Sequence, residues 1–296
     1  MPIDGQKAHF AEWSKSCSEG NNRINMKEIS LKEMQQIELD MLLEFDAICK
    51  KHGLRYYIDG GTLLGAMCYE GFIPWDDDID LKMPRPDFEK LREFANEFPK
   101  HILVRYPTKN DCGYTFVKII DTRTVLVEQA GDVTKQSGVY IDILPMDGHP
   151  NDGPEYDRHL KKLSRLNTLF HGSMDRFAGL KSSSSMLARV KGCIYGMVYT
   201  PWKLLKKLTK TAEKYAYDEC GRVGLVIEGD PVRERFEKAW LEPPIELEFE
   251  GHMLPAPSGY RRHMEVFYGD HVTKPECYHN LPQYPGNHDY TVYWRE

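Results

Sequence analysis

YYIDGGTLLGAMCYEGFIPWDDDIDLKM, from Tyr56 to Met83, is the stretch around which the rest of the chain is read. Leu54 to Ile58 is aromatic and β-branched, the composition of a strand. Gly60-Gly61-Thr62 breaks that run, and Leu63 to Tyr69 reads as a short helix. A glycine pair lets backbone approach a ligand closely, and amides at a helix start favour an anion. The same pair also serves as a plain packing turn. Next comes Pro74-Trp75-Asp76-Asp77-Asp78-Ile79-Asp80-Leu81. Alternate side chains of a strand share a face, which predicts Asp76, Asp78 and Asp80 on one side, with Asp77, Ile79 and Leu81 on the other. Three carboxylates on one face repel unless a cation neutralises them. Mg²⁺ or Mn²⁺, hard ions with oxygen ligands that often sit beside substrate phosphates, are the expected cofactor. An acidic surface turn is disfavoured by the apolar Ile79, Leu81 and Met83 alternating with the acids. A twelve-residue calcium loop would need a central glycine and a distal Glu that are missing here.

Composition narrows the classes. With 296 residues and 41% hydrophobic content, the chain can form one large domain or two, with a real core. A net charge of −6 argues against nucleic acid as the main partner. Seven scattered cysteines without a Cys-x-x-Cys pair favour free thiols in a reducing compartment over a disulfide framework or zinc site. No leader-like apolar segment and no membrane-length apolar run occurs, so a soluble, cytoplasmic protein is expected. A P-loop, a dinucleotide fingerprint and a nucleophile triad are all missing.

Outside the central stretch, Ser30-Leu31-Lys32-Glu33 is a capping box opening a helix that Gly53 ends. Met34, Ile37, Met41, Phe45 and Ile48 form its apolar stripe, and its charged residues are expected on a solvated face. Pro86 to Phe98 reads as an amphipathic helix. Strands are expected at Ile102–Tyr106, Tyr114–Ile120, Thr124–Glu128 and Val139–Leu144. Lys118 stands among apolar residues, where it either snorkels to an edge or meets a phosphate as a point charge. Asp142, alone in the apolar Tyr140-Ile141-Asp142-Ile143-Leu144, needs a partner because a buried bare carboxylate is expensive. It either hydrogen-bonds at the strand end or joins Asp78 and Asp80 around a metal. Asp147 is expected in a turn. Residues 154 to about 220 read as helical, with Ser182–Ser185 as a break. Lysines and arginines accumulate among apolar residues from 186 to 210, either as a packed helical cap or as a peripheral membrane contact. Ile245 to Glu250 alternates like a half-exposed strand, and a helix is expected at Tyr260–Phe267.

The strings DGGTLLGA and FIPWDDDIDLKMPRPDF resemble the LicD family of phosphocholine and related phosphotransferases. The segment VYIDILP, with Leu144 where the family carries Phe, and the order FEGHMLPAPSGY…FYGD…KP, are also similar to it. The likeness spans roughly Leu31 to His288. It implies an α+β fold: a nucleotidyltransferase-like mixed sheet flanked by helices, with a helical insertion and a C-terminal α/β extension. The expected division is a loose N-terminus at 1–25, a catalytic core at 26–150, a partly basic helical region at 151–240, and a C-terminal extension at 241–296. The resemblance implies Asp78, Asp80 and Asp142 as catalytic and Asp76, Asp78, Asp80 and Asp142 as metal ligands, the ligand subset among 76, 78 and 80 being open. Gly60, Gly61, Thr62, Lys118 and His288 would then touch substrate, His288 with its role open. The implied reaction moves a phosphoalcohol, phosphocholine from CDP-choline foremost, onto a hydroxyl of a glycan or teichoic-acid-type acceptor that can be lipid-linked. Transfer of a nucleoside monophosphate, or a non-catalytic glycan-binding module on the same fold, are the rivals.

Overall fold

The computed structural model describes residues 26–130, 133–182, 200–228, 232–274, 279, 281 and 290–295. Residues 1–25, positions 186–199 of the basic stretch, and His288 lie outside the described residues. The chain divides into two compact units, one of residues 1–105, 117–145 and 239–296, the other of 106–116 and 146–238.

In the first unit, helix α1 (Leu31–His52) begins at the expected capping box, with Ser30 and Glu33 exchanging both bonds, and ends at Gly53 in the left-handed region. All five stripe residues, Met34, Ile37, Met41, Phe45 and Ile48, are buried. Strand β1 is only Tyr57–Ile58. Helix α2 (Gly60–Tyr69) starts at the glycine pair itself, three residues earlier than the sequence suggests. Strand β2 is Asp80–Pro84, and the sheet continues through β3 (Ile102–Arg105), β4 (Val117–Asp121) and the start of β7 (Tyr140–His149) in the order β1-β2-β7-β4-β3. The run 86–98 splits into α3 (Arg85–Leu91) and a 3₁₀ turn (Arg92–Glu97).

The core of this sheet is Ile58, Ile79, Leu81, Met83, Val117, Ile119, Ile141 and Ile143, all fully buried; α1 packs against β4, and its Leu42 and Phe45 are fully buried too. Each such side chain contributes about 1.5–3 kcal/mol by leaving water. A second sheet, β12-β5-β6, joins Thr124–Ala130 (β5) to Val133–Ser137 (β6) and to the tail strand β12 (Tyr290–Trp294). Hydrogen bonds from Ile29 to Val292 and from Trp294 to Lys27 tie that tail to the start of α1. The hairpin β10 (Ile245–Phe249) and β11 (His252–Ala256) and a helix at Tyr260–Tyr268 complete the unit.

In the second unit, Pro154–Ser182 and Pro201–Ala212 pack as a helix pair, burying Leu163, Leu166, Phe170, Leu204, Leu205, Leu208 and Ala212 together. Lys203, Lys206, Lys207 and Lys210 line the exposed side of the shorter helix. The end of β7 pairs with β8 (Arg222–Leu225), which pairs with β9 (Arg235–Glu237). Asp147, expected in a turn, lies in β7 and is buried, because β7 runs on five residues past Leu144. Beside it His149 is buried with neither ring nitrogen hydrogen-bonded. Burial, then the Arg235 guanidinium and His159, push its pKa down to about 3, and burial, then Lys214 and Lys162, push His159 to about 4.

Two predictions follow from this packing. A side chain on Gly65 would run into the backbone of Gly71 and Ile73, whereas Gly172, in the longer helix, faces open space. Gly65→Ala should lower the melting temperature, at a cost of about 1–3 kcal/mol. Gly172→Ala should raise it, by about 0.5–1 kcal/mol. Differential scanning calorimetry reads both signs. The two histidines, near 6.5 when unfolded, bind more protons in the unfolded chain, so their neutral packing stabilises fully above that pH and loses its effect as pH falls toward 4. Urea midpoints at pH 7 and 4.5 should therefore fall less in His149→Phe than in the wild type. Equal losses in the two proteins would show that His149 is not buried in its neutral form.

Candidate functional site

The site is assembled where the glycine turn meets the acidic segment. Strand β1 pairs antiparallel with β2, setting Tyr57 against Lys82 and Ile58 against Leu81. This pairing brings Gly60-Gly61 beside Asp80 and the residues before it. The Asp59 amide donates to the Asp80 carbonyl at 3.1 Å, and the Asp80 amide donates to the Thr62 hydroxyl at 3.0 Å. Thr62 is thus a buried clamp between turn and strand. Gly60 takes a φ of +55°, and a Cβ there would sit 3.2 Å from the Asp80 carboxylate. A Cβ on Gly61 would collide with the carboxylate of Asp76. The glycines are therefore required by the acids themselves.

The acids do not form one strand face. Strand β2 begins only at Asp80, and Asp76 to Ile79 run as irregular backbone. Asp77, expected on the far side, is buried, yet its carboxylate joins those of Asp76 and Asp78, with one oxygen of each within 4.8 Å of the others. Irregular backbone is what permits three consecutive carboxylates to converge, since a pleated strand would point the middle one away. The Gln35 amide of α1 donates to the Asp76 carbonyl at 2.8 Å, and the Tyr290 hydroxyl of the tail strand bonds the Asp77 carboxylate.

Asp142 lies on the next strand over: its amide donates to the Ile79 carbonyl at 2.9 Å. On its other side the β4–β7 register sets it opposite Lys118, whose ammonium donates to both carboxylate oxygens at 2.8 and 3.0 Å and lies 3.3 Å from the centre of the Tyr140 ring. Within the protein, Lys118 thus pairs with the Asp142 carboxylate. A second lysine, the buried Lys82, pairs with Asp59, and His263 Nε2 lies 2.6 Å from the same carboxylate. That buried group anchors the residue preceding the glycines.

The electrostatics record the crowding. Burial, then Asp78 and Asp77, push the Asp76 carboxyl up to about 7. Burial, then Asp78, Asp142 and Asp59, raise Asp80, with Lys82 opposing. Lys118 is lowered by burial, against the pull of Asp142 and Asp80. Such a set concentrates negative charge, and its clustered oxygens are the hard donors that suit Mg²⁺ or Mn²⁺. Two orphaned oxygens add to the fit: Glu38 of α1, expected on a solvated face, is fully buried with neither oxygen hydrogen-bonded. Its charged form is disfavoured by burial, then by Asp78, Asp77, Asp76 and Asp142.

The structure therefore brings together Gly60, Gly61, Thr62, Asp76, Asp78, Asp80, Lys118 and Asp142. Sequence reasoning missed Glu38, Asp59, Asp77, Lys82, Tyr290 and His263. Glu38 carried a signal, standing within the apolar stripe four residues after Met34 and three before Met41. Tyr290 and His263 carried none, being more than 200 residues away from the carboxylates they meet.

A family model described as LicD/FKTN/FKRP, nucleotidyltransferase domain, matches residues 53–171. The chain is 30% identical over 255 residues to the lipopolysaccharide cholinephosphotransferase LicD of Haemophilus influenzae, covering 84% of this chain and 94% of that protein. It is 25% identical over 167 residues to an uncharacterised protein of Rickettsia prowazekii, 55% of this chain and 58% of the other. Mannosyltransferase regulator 4 of Saccharomyces cerevisiae is 29% identical over 124 residues, 39% of this chain and 10% of that protein. With 30% identity over 84% of this chain and 94% of the Haemophilus protein, the chain belongs to the LicD family and is a LicD-type transferase.

Proposed function

We propose that this transferase moves a phosphoalcohol, phosphocholine from CDP-choline foremost, onto a sugar hydroxyl of a surface glycan such as lipopolysaccharide. The observation that carries this reading is the direct abutment of Gly61 on the Asp76 carboxylate, within a cluster that includes Asp77 and Asp78. A diphosphate laid along the glycine turn would lie beside carboxylates that only a cation can reconcile with it. Likeness to the Haemophilus cholinephosphotransferase supports choline as the alcohol and lipopolysaccharide as the acceptor.

Mg²⁺ or Mn²⁺ held by Asp76, Asp77 and Asp78, with Asp80 and Asp142 adjacent, would neutralise charge on the diphosphate. The remaining work belongs to the chain's own groups. The glycines give the donor's backbone-level approach, and the α2 amides face its negative charge. Lys118 keeps Asp142 ionised and offers a positive charge to the transferring phosphoryl group. Asp142 takes the proton of the acceptor hydroxyl. The hydroxyl oxygen bonds to the phosphorus that bears choline, the phosphorus–oxygen bond to CMP breaks, and CMP leaves with the electron pair. Positioning and charge neutralisation account for most of the rate in such transfers. Among the described residues no helix is long and apolar enough to cross a membrane. The lysine face of Pro201–Ala212 suits an anionic membrane surface on which a lipid-linked acceptor would be presented.

Incubation of the protein with CDP-choline, a glycan acceptor and Mg²⁺ should release CMP and label the glycan. Pyrophosphate release from CTP instead would establish nucleotidyl transfer, and inertness toward every nucleotide would leave a binding module. Asp78→Asn and Asp142→Asn should each lower kcat by about 100-fold or more with a native circular dichroism spectrum. Near-normal rates in both would remove these residues from the chemistry. In the metal-free protein, Asp76 ionises only near pH 7 when folded but near its ordinary carboxylate value when unfolded. Its contribution to stability is present at low pH and disappears as pH rises toward and through 7. Added Mg²⁺ should therefore raise the melting temperature more at pH 8 than at pH 5, and EDTA should reverse it. A pH-independent shift would contradict the site.

A further inference from the structure

Glu38 is the buried carboxylate that the fold does not otherwise explain. Asp46, Asp59, Asp87 and Asp121 are also buried, and each meets a partner: Tyr56 and Lys50, Lys82 and His263, Arg55, and Arg123 respectively. Glu38 has none among the described residues, and no part of it reaches solvent. Its placement is fixed by α1. One turn before it, Gln35 bonds the carbonyl of Asp76, so residues 35 and 38 share the helix face that abuts the acidic loop. From that face Glu38 acts electrostatically on Tyr290, whose hydroxyl holds Asp77. Such a buried carboxyl is either neutralised by a proton or compensated by a positive charge that arrives from outside the protein, and its place on the helix face that abuts the acidic loop points to the second.

We propose that Glu38 is an inner member of the carboxylate set that holds the divalent cation, lying behind Asp76, Asp77 and Asp78 and supplying negative charge from the α1 side. This rests on the reading of Asp76–Asp78 as a cation site and extends it to a helix that precedes the acidic segment by some forty residues. Glu38 is a positioning residue for the reaction: it acts on the cation and on the loop that carries Asp76 to Asp78.

The test is Mn²⁺ binding, read as the loss of the free-ion electron paramagnetic resonance signal on titration of the full chain, without nucleotide. Wild type should bind Mn²⁺ stoichiometrically. Glu38→Gln, equal in volume, and Glu38→Leu, which removes both buried oxygens, should each weaken binding at least tenfold. Their melting temperatures in EDTA should equal or exceed the wild-type value, because a bare carboxylate has been removed. Wild-type affinity in a folded variant, from either substitution, overturns the proposal while leaving the cation site standing. Lower melting temperatures in EDTA for both, with affinity retained, would assign Glu38 a purely structural role and overturn it as well. Absence of Mn²⁺ binding by wild type would instead overturn the cation site and this extension together.

Discussion

Mutual repulsion among carboxylates is the constraint to which this fold is fitted. Asp76, Asp77 and Asp78 converge on one another, Asp80 and Asp142 adjoin them, and Glu38 stands behind. Crowding of this kind has to be imposed by the scaffold, since like charges would gain by moving apart. The scaffold imposes it from several directions: Gln35 from α1, Thr62 from α2, Tyr290 from the tail strand, and the Ile79 carbonyl bonded to the Asp142 amide. The glycine pair supplies room, because any side chain at Gly61 would occupy the position of the Asp76 carboxylate.

Two lysines, Lys82 buried and Lys118 half-buried, divide the balancing charge. Lys82 and Lys118 lie on neighbouring parts of one sheet, each among apolar residues and each near an aromatic ring, Phe267 and Tyr140. Lys82 answers Asp59 together with His263, away from the converging acids, and so stabilises the start of α2. Lys118 answers Asp142. In sequence the two lysines are alike, and only the tertiary structure pairs one with Asp59 and the other with Asp142.

The family match from 53 to 171 encloses the glycines, the acids, Lys118 and Asp142. The supports lie on both sides of it: Gln35 and Glu38 before, His263 and Tyr290 after. The family match thus encloses the glycines and the clustered acids, while several residues that hold them together come from helices and strands outside it.

The sequence by itself determined the elements whose causes are local. The capping box at Ser30, the stripe on α1, the stop at Gly53 and the pairing of a glycine turn with nearby acids all follow from residues a few positions apart, and all are present. Most strands of the first sheet were placed to within a few residues; β6, β8, β9 and β11 were not, and β12 was missed although its Tyr-Thr-Val-Tyr-Trp run is aromatic and β-branched. Only the tertiary structure decided which acids converge, that Asp77 turns inward, that Glu38 is sealed from solvent and that Lys118 meets Asp142. The physical reason is that the cost of a charge is set by what surrounds it, and here those surroundings come from partners as far as 213 residues away along the chain.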